Sequence, residues 1–307
     1  MRLKLFFEEM FFSPKIYHYP IIILLSPLSF LYGALMYIRR ISTKKIEFNI
    51  PIISVGNIIV GGSGKTPFVI ALASMYNGVY IISRGYGRES RGLVEVSQNG
   101  KIITTVENSG DEPMLMAQSL PTVSVIVSED REKAIELVKK KGAKLIILDD
   151  GFNRVNIKKF EIILEPQEIK NPLPFPVGSL RECIFTRNFA DIIAIEDIEF
   201  NREVSFVDLS EKMILATAIS NPKRLDQYLP NGVVYKYYLE DHTYFDEDIL
   251  RTLLEKYKAT SILCTQKDLV KMQNFKLPIS QMKLKFVIDK EIFKQVDEYI
   301  KGYENEV

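Results

Sequence analysis

The sequence predicts an α/β protein with a mostly parallel sheet covered by helices on both faces, and three observations support this prediction. Short apolar runs alternate along the chain with segments of helical periodicity. These runs are hydrophobic throughout, as expected for strands buried on both faces. A glycine-rich loop joins the first run directly to a helical segment. With 307 residues, 47% of them hydrophobic, the chain can fill a substantial core.

The first half of the chain supplies the alternating elements. The run "IPIISVGN" (50–57) predicts a strand, and "GKTPFVIALASMY" (64–76) predicts a helix that starts at the glycine loop. A second strand is predicted in "VYIISRGYGR" (79–88), which runs into an Arg- and Gly-rich turn. Segment 129–143 has the period of an amphipathic helix ended by glycine, and "KLIILDDGFN" (144–153) predicts a third strand.

A charged stretch at 196–212 dilutes the apolar pattern and indicates a break between two lobes. The strands predicted beyond it lie at 213–220, 232–239 and 259–268. We therefore expect one lobe over 46–212 and a smaller C-terminal α/β lobe over 213–307 that closes a cleft.

The N-terminal segment is apolar enough to associate with a membrane. No charged residue occurs from Ile16 to Ile38, and basic residues flank this run on both sides. As a helix its 23 residues would reach about 34 Å, which matches a bilayer core of about 30 Å. Pro20 and Pro27 weaken a spanning arrangement, because interior prolines kink a helix. We predict that residues 1–45 form a membrane-associated segment, spanning or half-embedded; the alternative is a helix buried against its own domain.

The composition excludes several classes of function. The 40 basic and 39 acidic side chains nearly cancel, so no overall field favours nucleic acid. Two cysteines and two histidines without metal-ligand spacing make a zinc site improbable. We expect neither a nucleic acid nor an obligate protein partner.

The glycine loop has the features of a phosphate-binding loop. Backbone N–H groups presented by glycines and a helix N-terminus together bind phosphate oxygens. The residues predicted to bind the nucleotide here are Gly61, Gly62, Ser63, Gly64, Lys65 and Thr66. In this pattern Lys65 reaches the β- and γ-phosphates and Thr66 takes a place on Mg²⁺. The sequence therefore predicts a site for ATP and Mg²⁺, although a glycine-rich turn without a ligand is an alternative.

The loop departs from the strict G-x-x-x-x-G-K-[ST] pattern. Ile59 stands where the first glycine belongs, and a glycine occurs instead at Gly56. A group of switch ATPases also has a deviating loop, K-G-G-x-G-K-T, whose first lysine acts across a dimer interface. Val60 occupies that position here, which argues against this class.

Three carboxylates and one histidine are candidates for the remaining chemistry. Asp149 and Asp150 follow an apolar strand, which suits Mg²⁺ binding, although they could also cap the turn at Gly151. Asp111 begins a helical segment, so it is either an N-cap or a group that orients a hydroxyl and accepts its proton. His242 is either a surface residue or part of such a site. Residue patterns alone leave these alternatives open.

Taken together, these motifs resemble those of the tetraacyldisaccharide 4'-kinases of lipid A biosynthesis. The matching stretches are "LSFLYG", "SVGNIIVGGSGKTPF", "SRGYGR", "GDEPMLMA", "SEDR", "LDDGF", "PVGSLRE", "NP", "DH" and "KDLVK". The resemblance implies a two-lobed kinase that transfers phosphate from ATP to the 4'-hydroxyl of a membrane-borne disaccharide lipid carrying a 1-phosphate. It also implies that Asp111 and His242, one from each lobe, act with Lys65 in catalysis, and that Asp149 and Asp150 hold Mg²⁺.

Four arginines fall within the matching motifs: Arg84, Arg88, Arg131 and Arg181. The resemblance makes each a candidate for anionic oxygens of ATP or of the lipid 1-phosphate, with Arg181 assigned to the nucleotide; a solvated loop position or a structural ion pair is the alternative for each. The chain departs from the family in "DDGFNR", where Asn153 and Arg154 replace Gln-His, and in "PVGSLRE" and "TQKD". These changes are expected to affect substrate preference.

A lipid substrate and ATP together predict where the protein works. Residues 16–38 and the basic residues after them would hold the protein at an anionic membrane surface. Because ATP is cytoplasmic, we expect the cytoplasmic face of the bacterial inner membrane. Two alternatives are a membrane-associated P-loop ATPase switch acting on a protein partner and a kinase for a water-soluble acceptor.

Overall fold

The computed structural model describes residues 2–61 and 64–304. In these residues the α-helices are α1 (Arg2–Phe12), α2 (Tyr19–Ser42), α3 (Lys65–Ala73), α4 (Val106–Ser109), α5 (Asp111–Ser119), α6 (Arg131–Lys140), α7 (Glu247–Tyr257), α8 (Gln266–Leu269) and α9 (Lys290–Glu304). The strands are β1 (Ile52–Gly56), β2 (Val79–Ser83), β3 (Val94–Gln98), β4 (Lys101–Ile102), β5 (Ser124–Val127), β6 (Leu145–Asp149), β7 (Phe160–Glu165), β8 (Ile192–Ile195), β9 (Phe200–Val207), β10 (Met213–Thr217), β11 (Val233–Tyr238), β12 (Ser261–Thr265) and β13 (Ile279–Ile288). Short 3₁₀ helices cover Ile16–His18, Ile184–Phe189 and Pro222–Tyr228.

The chain packs as two compact units, each assembled from separate stretches of sequence. The first unit comprises Met1–Lys65, Leu145–Phe200 and Ile288–Val307. The second comprises Thr66–Lys144 and Asn201–Val287. The expected lobes, 46–212 and 213–307, stay a prediction, because a lobe that closes a cleft is defined by movement and the units are defined by packing.

A parallel sheet forms the centre of the first unit. Its strand order is β6-β1-β7-β8, and every neighbouring pair is parallel. All five residues of β1 and all five of β6 are buried, which explains why both strands are apolar throughout. The predicted class, a mostly parallel α/β fold with helices on both faces, is confirmed.

The ends of β1 and β6 approach each other too closely for side chains. A Cβ atom added to Gly56 would lie 2.6 Å from Cβ of Phe152, and one added to Gly151 would lie 2.6 Å from Oγ of Ser54. Glycine is required at both positions because backbone and side chain meet there. The displaced glycine of the loop motif therefore has a packing role where β1 ends.

Helix α2 packs on the first unit through one face. Ser29 Oγ donates a hydrogen bond to the Pro174 carbonyl at 2.6 Å, and the Tyr32 hydroxyl donates to the Arg181 carbonyl at 2.9 Å. The Ile16–Ser42 segment is the one stretch among the described residues that is long and apolar enough to cross a membrane. Its exposed apolar side chains are Ile16, Tyr17, Tyr19, Ile23, Leu24, Leu28, Phe30, Leu31, Leu35, Ile38 and Ile41. Packing against the protein thus accounts for one face of the helix and leaves an apolar face uncovered.

The second unit contains two groups of strands. In the first group, β2 and β5 are parallel, whereas β3 runs antiparallel to both β5 and β4. The second is a five-stranded sheet with the order β11-β10-β12-β13-β9. The charged stretch at 196–212 contains a strand that was not predicted, because β9 occupies Phe200–Val207. Residues of β9 alternate between exposed and less exposed positions, and this period of two was the signal for the strand.

Helix termini in the second unit follow local sequence signals. Asp130 caps α6 by accepting a hydrogen bond from the Lys133 backbone N–H at 3.1 Å. Asp246 caps α7 by accepting from the N–H groups of Asp248 and Ile249. Each cap satisfies donors that have no partner inside the helix.

Candidate active site

The glycine loop connects β1 to the start of α3. Gly61 and Gly64 have φ angles of 102° and 81°, a region that favours glycine. Helix α3 begins at Lys65, as the phosphate-loop pattern predicts. The predicted nucleotide-binding residues Gly62 and Ser63 lie outside the described residues.

Lys65 points toward the residues that follow β1 and β6. Its Nζ lies 3.2 Å from Asn57 Oδ1 and 3.5 Å from Asp150 Oδ1. Arg181 Nη1 contacts both carboxylate oxygens of Asp150, at 3.0 and 2.9 Å. Asp150 is therefore held between two cations and has a strained φ of 52°. Burial alone would raise the pKa of Asp150, but the charges of Lys65 and Arg181 outweigh it and leave the pKa below its usual range.

The predicted magnesium ligands supply oxygen atoms only. Asp149 is a buried residue at the end of β6, Asp150 is its neighbour, and Thr66 offers a hydroxyl in the first turn of α3. Among the described residues, no cluster of three or more His, Cys, Asp or Glu side chains could hold a metal by itself. Mg²⁺ prefers oxygen donors and usually completes its shell with water and substrate phosphates, so these residues fit that ion.

Asp111 and His242 form a hydrogen-bonded pair within the second unit. His242 Nδ1 lies 3.0 Å from each carboxylate oxygen of Asp111, although 131 positions separate the two residues. Asp111 is the first residue of α5, and Gly110 occupies the N-cap position, so Asp111 is not the N-cap. The resemblance implies that the two residues come from separate lobes, yet both belong to one compact unit.

The His242 backbone and ring are both constrained. Its φ is 65°, which is unusual for a non-glycine residue, and its N–H donates to the Ala218 carbonyl at 3.3 Å. The ring of Tyr86, from the S-R-G-Y-G-R turn, lies 5.1 Å from the imidazole. His242 is partly exposed, with 21% of its side-chain surface accessible, whereas Asp111 is buried. The imidazole is therefore the accessible end of the pair.

Two lysines near this pair were missed from the sequence. Nζ of Lys267 and Nζ of Lys271 each lie 3.7 Å from Asp111 Oδ2. Burial alone would raise the pKa of Asp111, but the hydrogen bond from His242 and the charges of Lys267, His242 and Lys271 leave it below its usual range. The signal for these lysines was their spacing in "QKDLVK", which puts them four positions apart at the end of a predicted strand.

The four candidate arginines have different environments. Arg88 pairs with Glu129 at 2.6 Å, and buried Arg131 donates to the carbonyls of Ser83 and Ser128. The Arg88 contact is a structural ion pair, whereas the contacts given for Arg131 are hydrogen bonds to backbone carbonyls. Arg181 contacts Asp150, as described above, whereas Arg84 is exposed and makes no ion pair within the described part of the chain.

Comparison with known proteins gives consistent matches over nearly the whole chain. The family model for LpxK, tetraacyldisaccharide-1-P 4'-kinase, matches residues 21–301. A tetraacyldisaccharide 4'-kinase of Helicobacter pylori (strain HPAG1) is 43% identical over 98% of this chain and 96% of its own length. The enzyme of the same name from Aliarcobacter butzleri (strain RM4018) is 42% identical over 98% of this chain and 99% of its own.

A solved structure shares the fold. The crystal structure of an apo form of LpxK from Aquifex aeolicus in complex with ATP matches with a TM-score of 0.76 and 28% sequence identity. The match covers 91% of this chain and 99% of that one. The resemblance predicted from the motifs is thus confirmed by sequence and by fold, and the chain belongs to the tetraacyldisaccharide-1-P 4'-kinase family.

Proposed function

We propose that this chain transfers the γ-phosphoryl group of ATP to the 4'-hydroxyl of a tetraacyldisaccharide 1-phosphate, which forms the 1,4'-bisphosphorylated lipid. The observation that carries this proposal is the Asp111–His242 pair, with its two 3.0 Å contacts, in a chain that also has a phosphate-binding loop. A kinase for an alcohol needs both a nucleotide cradle and a group that takes up the hydroxyl proton. A nucleotide switch needs only the nucleotide cradle.

The first unit supplies the nucleotide-binding residues. The backbone of the loop from Gly61 to Gly64, with Gly62 and Ser63 between them, binds the phosphate oxygens. Lys65 neutralises charge that develops on the γ-phosphoryl group, and its contact with Asp150 keeps the ammonium group in place before ATP binds. Arg181 donates to the phosphate oxygens of ATP from its position beside Asp150.

Asp149, Asp150 and Thr66 are the residues that would hold Mg²⁺, which would supply positive charge to balance the phosphates of ATP. The lowered pKa of Asp150 keeps its carboxylate ionised, which a metal ligand requires. Asp150 would contact the ion as well as Arg181, and Arg181 would donate to phosphate from its position beside Asp150.

The second unit supplies the groups for the acceptor hydroxyl. Asp111 accepts the Nδ1–H hydrogen bond of His242, which fixes the ring and leaves Nε2 as the open acceptor. The Asp111–His242 pair orients the 4'-hydroxyl and takes up its proton as the phosphoryl group is transferred. The buried carboxylate stabilises the imidazolium that results, so the pair acts as one unit.

The uncovered apolar face of α2 supports a position at a membrane surface that presents the lipid. Exposed cationic side chains follow this helix at Lys44 and Lys45. They suit the anionic cytoplasmic leaflet of the inner membrane, where ATP is available. Arg40 was expected to contribute, but it is buried in an ion pair with Glu182 and does not face lipid.

The decisive experiment measures transfer of labelled phosphate. Full-length protein in nonionic detergent micelles receives γ-labelled ATP, Mg²⁺ and tetraacyldisaccharide 1-phosphate. We expect a labelled bisphosphorylated lipid, and we expect Asp111→Asn to abolish most of it while ATP binding persists. The proposal is refuted if the protein binds ATP but transfers no labelled phosphate to the lipid.

Two further arms separate the alternatives. A deacylated, water-soluble disaccharide phosphate tests whether the acyl chains matter, and equal rates on both acceptors would favour a soluble-substrate kinase. Analytical ultracentrifugation with and without ATP tests the switch. Nucleotide-dependent dimerisation without lipid labelling would favour the switch over the kinase.

A further inference from the structure

Two lysines flank the buried member of the Asp111–His242 pair. Lys267 lies in α8 and Lys271 just after it, and both ammonium groups are 3.7 Å from the same oxygen, Asp111 Oδ2. We propose that Lys267 and Lys271 are positioning residues for phosphoryl transfer, since they hold Asp111 ionised and aligned with His242. This inference rests on the function proposed above and assigns a role to residues that contact the pair without reaching the substrate.

Lys271 ties the charge of Asp111 to the backbone that carries the histidine. Its side chain is 1% exposed, so its ammonium group is removed from water. Nζ donates to the carbonyl of Thr243, the residue after His242, at 3.1 Å. It also lies 5.4 Å from the Phe245 ring centroid. The Lys271 ammonium group therefore contacts both the Asp111 carboxylate and the loop that carries His242.

Asp268 fixes the segment that carries both lysines. Its carboxylate accepts hydrogen bonds from Thr217 Oγ1 at 2.7 Å, from the Ala218 backbone N–H at 3.0 Å and from Thr265 Oγ1 at 2.7 Å. The Ala218 carbonyl in turn accepts the His242 N–H. The segment 267–271 and the loop that contains His242 are thus both bonded to the end of β10, which fixes their position relative to each other.

Lys267 balances the other carboxylates around the pair. Its Nζ lies 3.2 Å from Glu112 Oε1 and 3.3 Å from Asp241 Oδ1, in addition to its contact with Asp111. Asp241 Oδ2 is itself 3.6 Å from His242 Nε2. Without Lys267, Glu112 and Asp241 would lose this cation, and Lys271 would be left to balance the charge of Asp111.

The positive charges of Lys267 and Lys271 should lower the pH at which the protein becomes active. A buried carboxylate without cations binds a proton more readily, and a protonated Asp111 accepts the Nδ1–H bond more weakly and has no charge to stabilise the imidazolium. Removing either lysine should therefore demand a higher pH for activity. The other ionisable groups near the pair are Tyr86, Tyr244, Glu89, Glu107, Glu112, Asp241 and Asp268. Burial, followed by the charges of Glu107, Asp111 and Glu89, raises the pKa of Tyr244 to about 12, so it stays neutral in the assay range.

The test compares Lys267→Met and Lys271→Met with the wild-type chain in the lipid phosphorylation assay. In each variant we expect kcat to fall by about tenfold or more, and the acid limb of kcat/KM to move up by about one pH unit. KM for ATP should stay within about threefold of wild type, because neither lysine is among the residues proposed to bind nucleotide. Lys267→Arg should restore the wild-type profile, since it keeps the charge at a partly exposed position. An unmoved acid limb with reduced kcat would overturn the proposal.

A matched control separates positioning from folding. Lys159 is also buried and paired with a carboxylate, Glu161, at 2.7 Å, but it belongs to the first unit. Lys159→Met should lower the melting temperature and leave the acid limb in place. If Lys271→Met does not fold, the outcome is decided by Lys267→Met and Lys267→Arg.

A second readout does not depend on activity. The chain contains two histidines, so ¹⁵N-histidine labelling gives two sets of imidazole signals, and those lost in His242→Gln belong to His242. The inflection that Asp111 imposes on the His242 signals should move to higher pH in Lys267→Met and Lys271→Met. This shift without lipid phosphorylation in the wild type would uphold the charge role and reject the kinase function. No shift would reject the charge role whatever the activity.

Discussion

Breaking the buried ion pair that joins α2 to the rest of the first unit should strongly destabilise the protein. Arg40 contacts Glu182 twice, Nε to Oε2 and Nη2 to Oε1, each at 2.7 Å, and both side chains are at least 94% buried. Arg40 also donates to the Phe152 carbonyl at 3.0 Å and stacks 3.9 Å from the Phe152 ring centroid. Arg40→Met keeps the apolar volume but leaves Glu182 charged and buried.

The expected loss follows from burial. Removing one partner of a buried pair costs about 3–5 kcal/mol, because the remaining charge is neither solvated nor paired. An exposed pair at the same distance is the control: Lys158 and Glu47 are also 2.7 Å apart, but their side chains are 56% and 43% exposed. Lys158→Met should cost less than about 1 kcal/mol. The double variant Arg40→Met with Glu182→Met should recover part of the loss, since it removes the stranded charge.

The assay is denaturant unfolding in nonionic detergent, followed by circular dichroism and extrapolated to zero denaturant. Four variants are compared with wild type at one detergent concentration: Arg40→Met, Glu182→Met, the double variant and Lys158→Met. The reasoning is refuted if Arg40→Met costs no more than Lys158→Met. It is also refuted if the double variant is as unstable as the sum of its two single variants, because the two charges would then act independently.

Three further predictions follow from the site and from α2. Lys65→Met should lower kcat by about 10²–10³-fold, because the transition-state charge loses a fixed cation; steady-state kinetics measures this. Asp111→Asn should make the free energy of unfolding depend less on pH in the acid range. The pKa of Asp111 is lowered in the folded state, so its carboxylate stabilises the fold above the unfolded pKa of about 3.9, and this stabilisation is lost as the pH falls through the folded pKa. Leu24→Ser with Leu28→Ser should weaken vesicle binding by at least about tenfold, because each exposed leucine contributes on the order of 1.5–3 kcal/mol when it is buried in lipid.

Each of these predictions has its own control. Lys65→Arg, which keeps the charge, should retain more activity than Lys65→Met, and equal losses would argue against an electrostatic role. For acid stability, the wild type and Asp111→Asn should converge once the pH falls below the lowered folded pKa of Asp111, where the carboxylate is protonated in both states. For vesicle binding, Leu209 is also 49% exposed but lies in the second unit, so Leu209→Ser should bind vesicles normally. Equal losses at both sites would remove α2 as the anchor.

Much of the fold could be predicted because its signals are local. The apolar runs at 50–57 and 144–153 became β1 and β6, and the amphipathic segment at 129–143 became α6 with Asp130 as its cap. Strand β9 was missed because its charges were given more weight than its two-residue alternation. The phosphate loop was recognisable because its glycines and lysine are adjacent in sequence, and Gly61 and Gly64 have the backbone angles that such a loop requires.

The sequence by itself determined the class of fold, the family and the candidate residues, because these depend on short motifs whose geometry is set within a few residues. Tertiary structure alone decided which candidates meet. It paired Asp111 with His242 across 131 positions, buried Arg40 against Glu182 across 142, and brought Lys267 and Lys271 to one carboxylate oxygen. Such contacts depend on how separate elements pack, and the energy of a charge depends on its burial. Residue type and spacing specify neither the packing of separate elements nor the burial of a charge. Arginines and lysines that look equivalent in the sequence therefore have different environments in the fold.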